Sequence, residues 1–268
     1  MTTEEMQRIA NEMNFSETTF IFPKEGSGDV RMRIFTPKAE LPMAGHPTIG
    51  STFALALEGV ITPDRREFVF ELGVGPTPVS LEWSGSTLSF AWMTMPLPTF
   101  AETIPDRATL AAALGVSTSD LADGPIQAVS CGVPFLFVPA ATRAAVDSVM
   151  LDTKAIARCL AGAGVPELPV FIFTLDGSVD ETVYSRMLAP AFGIAEDPAT
   201  GGASGPLGSY LVRYGMVSPD TARHMVSLQG VAMGRPSRIH ISIDSHDGVI
   251  TRVRIGGRSV LVGRGELI

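Results

Sequence analysis

The spacing of apolar residues along the chain predicts its first helices and strands. Apolar residues recur every three or four positions over residues 4–13, which is typical of a helix, and a threonine at position 2 or 3 can cap it. Over residues 30–35, apolar and arginine side chains alternate, which predicts a strand. Similar patterns predict helices at residues 47–58 and 153–160, and strands at residues 18–22, 67–71, 77–83, 87–92, 126–131, 134–138, 170–174, 182–188, 238–243 and 249–255.

The order of these elements indicates an internal duplication. Helix, strand, turn, strand, glycine-rich loop, helix and hairpin occur in this order twice. A constant shift of 156 positions, the difference between 196 and 40, pairs Glu40 with Glu196, Pro42 with Pro198, Gly45 with Gly201, and Gly59 with Gly215. We therefore expect an α+β fold of two pseudo-symmetric domains, residues 1–112 and 113–268, joined around residues 97–119.

The two halves differ at their beginnings. A pair of predicted strands at residues 126–138 precedes the first helix of the second half, and nothing corresponds to it before the helix at residues 4–13. We expect the first half either to lack this strand or to obtain one from residues 259–268. In the second case the last strand of the chain packs on the first domain.

Composition narrows the classes of function. Hydrophobic residues make up 45% of the chain and charged residues 18%, which is typical of a folded globular protein. The net charge of −8 argues against nucleic acid as a partner. No apolar run approaches the roughly 20 residues that span a bilayer. With no signal-peptide pattern at the start, and with Cys131 and Cys159 in apolar surroundings, we expect a cytoplasmic protein with buried thiols.

The two glycine-rich loops are the candidate functional site. Each loop carries an acidic residue before a turn that opens a helix, where unpaired backbone N–H groups favour an anion. Two such loops on related halves predict a cleft with one loop on each wall. Such a cleft suits removal of a proton from one face of a carbon and its delivery on another, while the helix starts hold a carboxylate or enolate.

These loops supply the candidate catalytic and binding residues. We expect Glu40 to be the base, because a dry pocket raises the pKa of a glutamate from about 4.3 toward neutral values. Asp197, or alternatively Glu196, is expected to be the acidic group opposite. Turn residues expected to bind substrate are Gly45, His46, Gly201, Gly202 and Ala203.

Some loop residues have two interpretations that the sequence leaves open. His46 either binds substrate or orients a carboxylate, or it is a structural residue of its Gly-His-Pro turn. Thr200 and Ser204 are either helix caps or substrate contacts.

Other chemistries fit the sequence poorly. Neither loop holds a cysteine for two-thiol racemisation, and the four histidines show no close pair of metal ligands. The glycine loops lack the lysine of a nucleotide-triphosphate loop and the spacing of a dinucleotide loop, and the chain lacks the Gly-x-Ser-x-Gly elbow of a serine hydrolase. We expect no metal and no cofactor.

The sequence resembles the phenazine-biosynthesis PhzF-like isomerase family over nearly its whole length. The matching segments are Phe35-Thr36-Pro37 through Glu40-Leu41-Pro42, Ala44-Gly45-His46-Pro47, Glu196-Asp197-Pro198-Ala199-Thr200-Gly201, Ser16-Glu17-Thr18, Arg186-Met187-Leu188-Ala189-Pro190, Gln229-Gly230 and Gly234-Arg235-Pro236.

This resemblance implies a cofactor-free isomerase with the diaminopimelate epimerase fold, commonly a homodimer, in which each sheet wraps around a central helix. It implies a small carboxylic-acid substrate, with Glu40 as the catalytic glutamate and Asp197 as the active-site aspartate. The chain departs from the family where Gly202 replaces a serine, and where an opening strand with Gly-Asn-Pro is usual. These departures keep open an alternative, a small-molecule-binding protein on the same scaffold. A structural or interaction protein leaves the two matching loops unexplained.

Overall fold

The computed structural model describes residues 1–178 and 180–266, which form two compact units. Unit 1 comprises Met1–Thr94 together with the chain from Arg254 onward, and unit 2 comprises Met95–Val253. The boundary lies nearer the N terminus than the expected one at residues 112 and 113. It does so because the segment expected to be a connection pairs and packs within unit 2: a strand at Thr99–Thr103 pairs with one at Gln127–Ser130, and a helix at Arg107–Leu114 joins a core of unit 2.

Unit 1 contains a mixed sheet and two helices among its described residues. The helices are α1 (Thr3–Met13) and α2 (Gly45–Leu57), and the strands are β1 (Thr18–Pro23), β2 (Val30–Phe35), β3 (Glu40–Leu41), β4 (Glu67–Leu72), β5 (Gly75–Ser84) and β6 (Thr87–Met95). The strands pair in the order β1-β2-β4-β5-β6, with β3 on β2. The β2–β4 pair is parallel and the other pairs are antiparallel.

The start of unit 1 confirms the first predicted helix. Thr2 and Glu5 form a reciprocal capping box, which satisfies backbone donors at the start of α1. Met6 and Ala10 are fully buried and belong to one core cluster with Phe35. Met6 and Ala10 of the predicted apolar stripe therefore pack in the core, whereas Met13, at the end of the stripe, is 42% exposed.

Unit 2 also contains a mixed sheet. Its helices are α3 (Arg107–Leu114), α4 (Arg143–Ser148), α5 (Thr153–Gly162) and α6 (Gly201–Arg213), and its strands are β7 (Thr99–Thr103), β8 (Gln127–Ser130), β9 (Pro134–Pro139), β10 (Val170–Thr174), β11 (Val183–Ala189), β12 (Ile194–Asp197), β13 (Met225–Gln229) and β14 (Ser237–His246). They pair in the order β14-β13-β11-β10-β9-β8-β7, with β12 on β11. The pairs β9–β10 and β11–β13 are parallel.

The strand β15 (Val249–Gly257) contains the division between the units, since Val253 belongs to unit 2 and Arg254 to unit 1. The expectation that residues 259–268 supply a strand is wrong over residues 259–266, which form none. Their apolar side chains remain exposed instead of packing on a sheet; Val260 is 84% exposed and Val262 94%. Residues 267 and 268 lie outside the described chain.

The two loop helices confirm the predicted register of the duplication. Each has 13 residues, and their first residues, Gly45 and Gly201, lie 156 positions apart, as do their last, Leu57 and Arg213. Helix α6 packs against β8, β9 and β14 and is buried over most of its length. Its Tyr210 is fully buried; its ring stacks on Phe137 of β9 and meets Phe173 of β10 edge-on. This helix is therefore the central helix of unit 2.

Candidate active site

Unit 1 brings a buried glutamate against the histidine of the first glycine-rich loop. His46 is the second residue of α2, and Glu17 immediately precedes β1. Nε2 of His46 lies 2.8 Å from Oε2 of Glu17; the glutamate side chain is 9% exposed and the histidine 38%. The structure thus favours the interpretation in which His46 orients a carboxylate. In the sequence, Glu17 stands within a family-like segment, and no role was expected for it.

The environment of Glu17 keeps its carboxylate ionised. Burial raises the pKa of the Glu17 carboxyl, but the hydrogen bond and charge of His46 outweigh burial and lower its pKa overall. An ionised carboxylate that is largely removed from water is a group that can accept a proton from a bound acid. Glu17 is therefore a candidate base that the sequence analysis missed.

Glu40 lies in a different environment from the one expected. Its carboxylate forms a bidentate ion pair with Arg33, with Nε 2.7 Å from Oε1 and Nη2 2.6 Å from Oε2. This pairing follows from strand geometry, because β3 places Glu40 opposite Phe35 on β2. The hydrogen bond to Arg33 lowers the pKa of Glu40, and the side chain is 39% exposed. The expected dry pocket and raised pKa are therefore wrong, while the role of Glu40 as a base stays a prediction.

Unit 2 holds Asp197 in a buried hydrogen-bond network at the end of β12. The side chain of Thr200 donates to Oδ2 of Asp197 over 2.5 Å. Gln229, at the end of β13 and fully buried, donates from Nε2 to the Asp197 carbonyl oxygen (2.6 Å) and to Oγ1 of Thr200 (2.9 Å). The Thr200 N–H donates to Oε1 of Gln229 over 3.1 Å. Gln229 thus fixes the acid-bearing loop, although the sequence analysis gave it no role.

The neighbouring acid, Glu196, is engaged by an arginine. It forms a bidentate ion pair with Arg186, and both side chains are 13% exposed or less. Nη1 of Arg186 also donates to three backbone carbonyls around the end of α4. Of the two acids considered for the second loop, Asp197 is the one held beside the turn.

A glycine lets the acid-bearing loop approach β13. Gly230 has φ +78°, and a Cβ atom there would lie 2.4 Å from the Arg235 carbonyl oxygen and 2.8 Å from the Pro198 carbonyl oxygen. Only glycine fits this conformation and this contact without displacing backbone. Gln229 therefore holds the acid-bearing loop through hydrogen bonds, and Gly230 allows the backbone of that loop to pack closely against it.

The two loop helices differ from α1, α3 and α5 at their first turns. Side chains cap α1, α3 and α5, whereas the residues preceding α2 and α6, Ala44 and Thr200, make no side-chain cap bond. Thr200 directs its hydroxyl to Asp197 instead, and Ser204 donates back to the Thr200 carbonyl within the helix. The N–H groups of these first turns thus have no side-chain acceptor at the cap. At α6, the N–H groups of Gly201 and Ala203 donate instead to nearby backbone carbonyls.

The expected binding residues lie at these two helix starts. Gly45 and His46 begin α2, and the other three, Gly201, Gly202 and Ala203, begin α6. Gly202 leaves room for a side chain, because a Cβ atom there would lie 3.7 Å from the Phe135 ring.

Within residues 1–178 and 180–266, no group of three or more His, Cys, Asp or Glu side chains is arranged to hold a metal ion. Over the same residues, no helix combines the length and apolar character needed to span a bilayer.

Comparison with known proteins shows the family. The sequence pattern of the phenazine biosynthesis-like proteins matches residues 1–265, and the chain belongs to this PhzF-like family. It is 36% identical to a trans-2,3-dihydro-3-hydroxyanthranilate isomerase of Pseudomonas chlororaphis, over 100% of this chain and 90% of the relative. It is 35% identical to the enzyme of the same name from Pseudomonas fluorescens, over 98% of this chain and 88% of the relative. The chain is an isomerase.

Solved structures confirm the predicted fold class. A PhzF-family protein from Bacillus anthracis superimposes with a TM-score of 0.83 at 26% identity, covering 96% of this chain and 86% of the other. A protein described as a predicted epimerase from Pseudomonas aeruginosa gives 0.82 at 31% identity, covering 100% and 89%. A hydroxyproline epimerase from Agrobacterium vitis, at 15% identity, shares the fold with a TM-score of 0.63, covering 92% and 74%. The fold is mixed α+β, of the diaminopimelate epimerase type.

Proposed function

We propose that this chain is a cofactor-independent isomerase that moves a proton within a small carboxylic acid, with Glu17 as the group that accepts the proton. The contact that carries the proposal is the 2.8 Å approach of His46 to the buried carboxylate of Glu17. General bases need a positioned carboxylate or imidazole whose pKa is set by its surroundings, and this pair has both features. Glu40, the base expected from the sequence, is instead 39% exposed, and both of its carboxylate oxygens accept hydrogen bonds from Arg33.

The remaining loop residues have roles that fit the same reaction. Removing a proton next to a conjugated acid leaves negative charge, which the first-turn N–H groups of α2 or α6 can stabilise. Asp197 is the second acid-base group: it starts protonated and delivers its own proton to another carbon. Glu17 is then protonated and Asp197 ionised, and both return to their starting states by proton exchange with solvent. Its burial and its bond from Thr200 hold the carboxyl in one orientation.

The names of the relatives support a proposal for the substrate class. Two of the relatives are named as isomerases of trans-2,3-dihydro-3-hydroxyanthranilate, a cyclic amino acid with one carboxylate. We propose a substrate of this class for the present chain. Gly202 leaves open space beside the start of α6, so the preferred substrate can differ in the group that lies there.

Paired substitutions test the assignment of the base. Glu17→Gln preserves shape but cannot accept a proton, so turnover of trans-2,3-dihydro-3-hydroxyanthranilate should fall roughly 10²–10⁴-fold. Glu40→Gln is the matched control, because it changes the same residue type in the same unit at the ion pair with Arg33, and it should keep turnover within about tenfold. The assay is the rate of product formation by chromatography, with circular dichroism to verify folding.

The outcomes separate three accounts. Loss of turnover in Glu17→Gln alone supports Glu17 as the base. Loss in Glu40→Gln with full activity in Glu17→Gln would restore Glu40 to that role and overturn our assignment. Tight binding of this compound by the wild-type protein with no turnover would favour the alternative function, a small-molecule-binding protein.

A further inference from the structure

The hydrogen bonds around Asp197 have a direction that backbone groups determine. The Asp197 carbonyl oxygen can only accept, so the Gln229 atom 2.6 Å from it must be the amide nitrogen. The Thr200 backbone N–H can only donate, so the Gln229 atom 3.1 Å from it must be the amide oxygen. Two independent backbone contacts therefore define the same orientation of the Gln229 amide.

The orientation of this amide sets the direction of the next hydrogen bond. The amide nitrogen has two protons; one goes to the Asp197 carbonyl and the other to Oγ1 of Thr200, 2.9 Å away. The Thr200 hydroxyl thus accepts from Gln229, and its own proton points to Oδ2 of Asp197, 2.5 Å away. Asp197, Thr200 and Gln229 are 5%, 7% and 0% exposed, so water does not readily replace any of these partners.

We infer that Gln229 is a positioning residue that acts through Thr200 to keep Oδ2 of Asp197 a hydrogen-bond acceptor, so that the proton exchanged with substrate is carried on Oδ1. This inference rests on the proposed role of Asp197 as the second acid-base group. The proton balance is simple: a proton moves between a substrate carbon and Oδ1, and the hydroxyl proton stays on Thr200. A proton on Oδ2 would instead face the hydroxyl proton across the 2.5 Å contact.

The most direct test titrates Asp197 without relying on turnover. The full-length protein is labelled with ¹³C at aspartate side-chain carboxyls, and the signal lost in Asp197→Asn identifies the residue. A hydroxyl that donates to a carboxylate favours its charged form. The titration midpoint should therefore rise by about one pH unit in Thr200→Val and stay within about 0.3 unit of wild type in Thr200→Ser. Gln229→Met no longer directs the Thr200 hydroxyl. It should therefore also raise the titration midpoint of Asp197, but by less than Thr200→Val does.

A purely structural role predicts a different result. In that case Gln229→Met and Thr200→Val lower the melting temperature but leave the midpoint of Asp197 unchanged, and this outcome overturns the inference. If Gln229→Met does not fold, the Thr200→Val and Thr200→Ser pair decides alone, because valine replaces the hydroxyl with a methyl group while serine keeps the hydroxyl and loses only the methyl group.

Failure of the proposed function would be recognised separately. If Asp197→Asn retains full turnover of trans-2,3-dihydro-3-hydroxyanthranilate, Asp197 is not the second acid-base group, and proton exchange at Oδ1 is overturned even where the midpoint shifts as expected. If turnover is lost in Asp197→Asn and falls in Thr200→Val but not in Thr200→Ser, both the role of Asp197 and the direction of the network are supported.

Discussion

The contact between Gly230 and the acid-bearing loop yields a prediction that separates local backbone strain from support of the site. Replacing Gly230 with alanine introduces a Cβ atom 2.4 Å from the Arg235 carbonyl oxygen and 2.8 Å from the Pro198 carbonyl oxygen. Both neighbours are backbone atoms, so relief requires the loop to move. Pro198 directly follows Asp197, which would move with it.

Gly248 provides a matched control for the expected loss of stability. It has the same φ of +78°, but a Cβ atom there has nothing within 4 Å. A residue other than glycine costs roughly 1–2 kcal/mol in this region of φ, and this is the whole expected cost of Gly248→Ala. Gly230→Ala adds overpacking of roughly 1–3 kcal/mol, for a total of roughly 2–5 kcal/mol.

Two assays measure the effect. Urea unfolding followed by circular dichroism should place Gly230→Ala below Gly248→Ala by about 1–3 kcal/mol in free energy of unfolding. Turnover of trans-2,3-dihydro-3-hydroxyanthranilate should fall up to about 10²-fold in Gly230→Ala, because a displacement of about 1 Å at a catalytic group can have this effect. Gly248→Ala should keep its turnover. Equal losses of stability and of turnover in the two variants would refute the argument that Gly230 supports the Asp197 loop.

Three further predictions follow from the ion pairs and the open helix start. His46→Ala should raise the pKa of Glu17, because burial is then opposed only by the hydrogen bond from Ser16. The acidic limb of the kcat/KM profile should therefore move to higher pH, and a profile at the wild-type position would contradict this. Arg186→Met should lower the free energy of unfolding by roughly 3–5 kcal/mol, whereas Arg31→Met, which breaks a more exposed pair, should cost less than about 1 kcal/mol. Equal losses of free energy of unfolding in these two variants, measured by urea unfolding, would contradict this prediction. Gly202→Ser should leave the free energy of unfolding unchanged or raise it by up to about 1 kcal/mol, and it should alter KM. A large loss of stability would show that the space beside Gly202 does not exist.

The sequence was informative where structure depends on local pattern. The stripe on α1 follows from a helical period that residues 4–13 display directly, and the register of α2 and α6 follows from glycines, prolines and acids that repeat at one shift. It was less informative over residues 97–119. The helix α3 there lacks a polar face that would mark one side, since it is rich in alanine, and β7 gains its place only by pairing with β8.

The candidate site shows the same difference between features marked by local sequence and features that depend on the folded chain. The Asp197 loop carries its signal locally, in an acid followed by proline and glycines, and was predicted. Glu17 meets His46, and Gln229 meets Asp197 from 32 positions away, only after the chain has folded. The error over the pKa of Glu40 has the same origin, because the pattern predicted β2 but not the short β3 that sets Glu40 beside Arg33.

Exchange with solvent tests the central claim that Glu17 accepts a proton from a bound acid. The wild-type protein, incubated in D₂O with trans-2,3-dihydro-3-hydroxyanthranilate, should yield product carrying deuterium at a ring carbon by proton NMR. Glu17→Gln should yield no deuterated product over the same period, while Glu40→Gln should yield it at close to the wild-type rate. Undiminished deuterium incorporation in a folded Glu17→Gln variant would contradict the account.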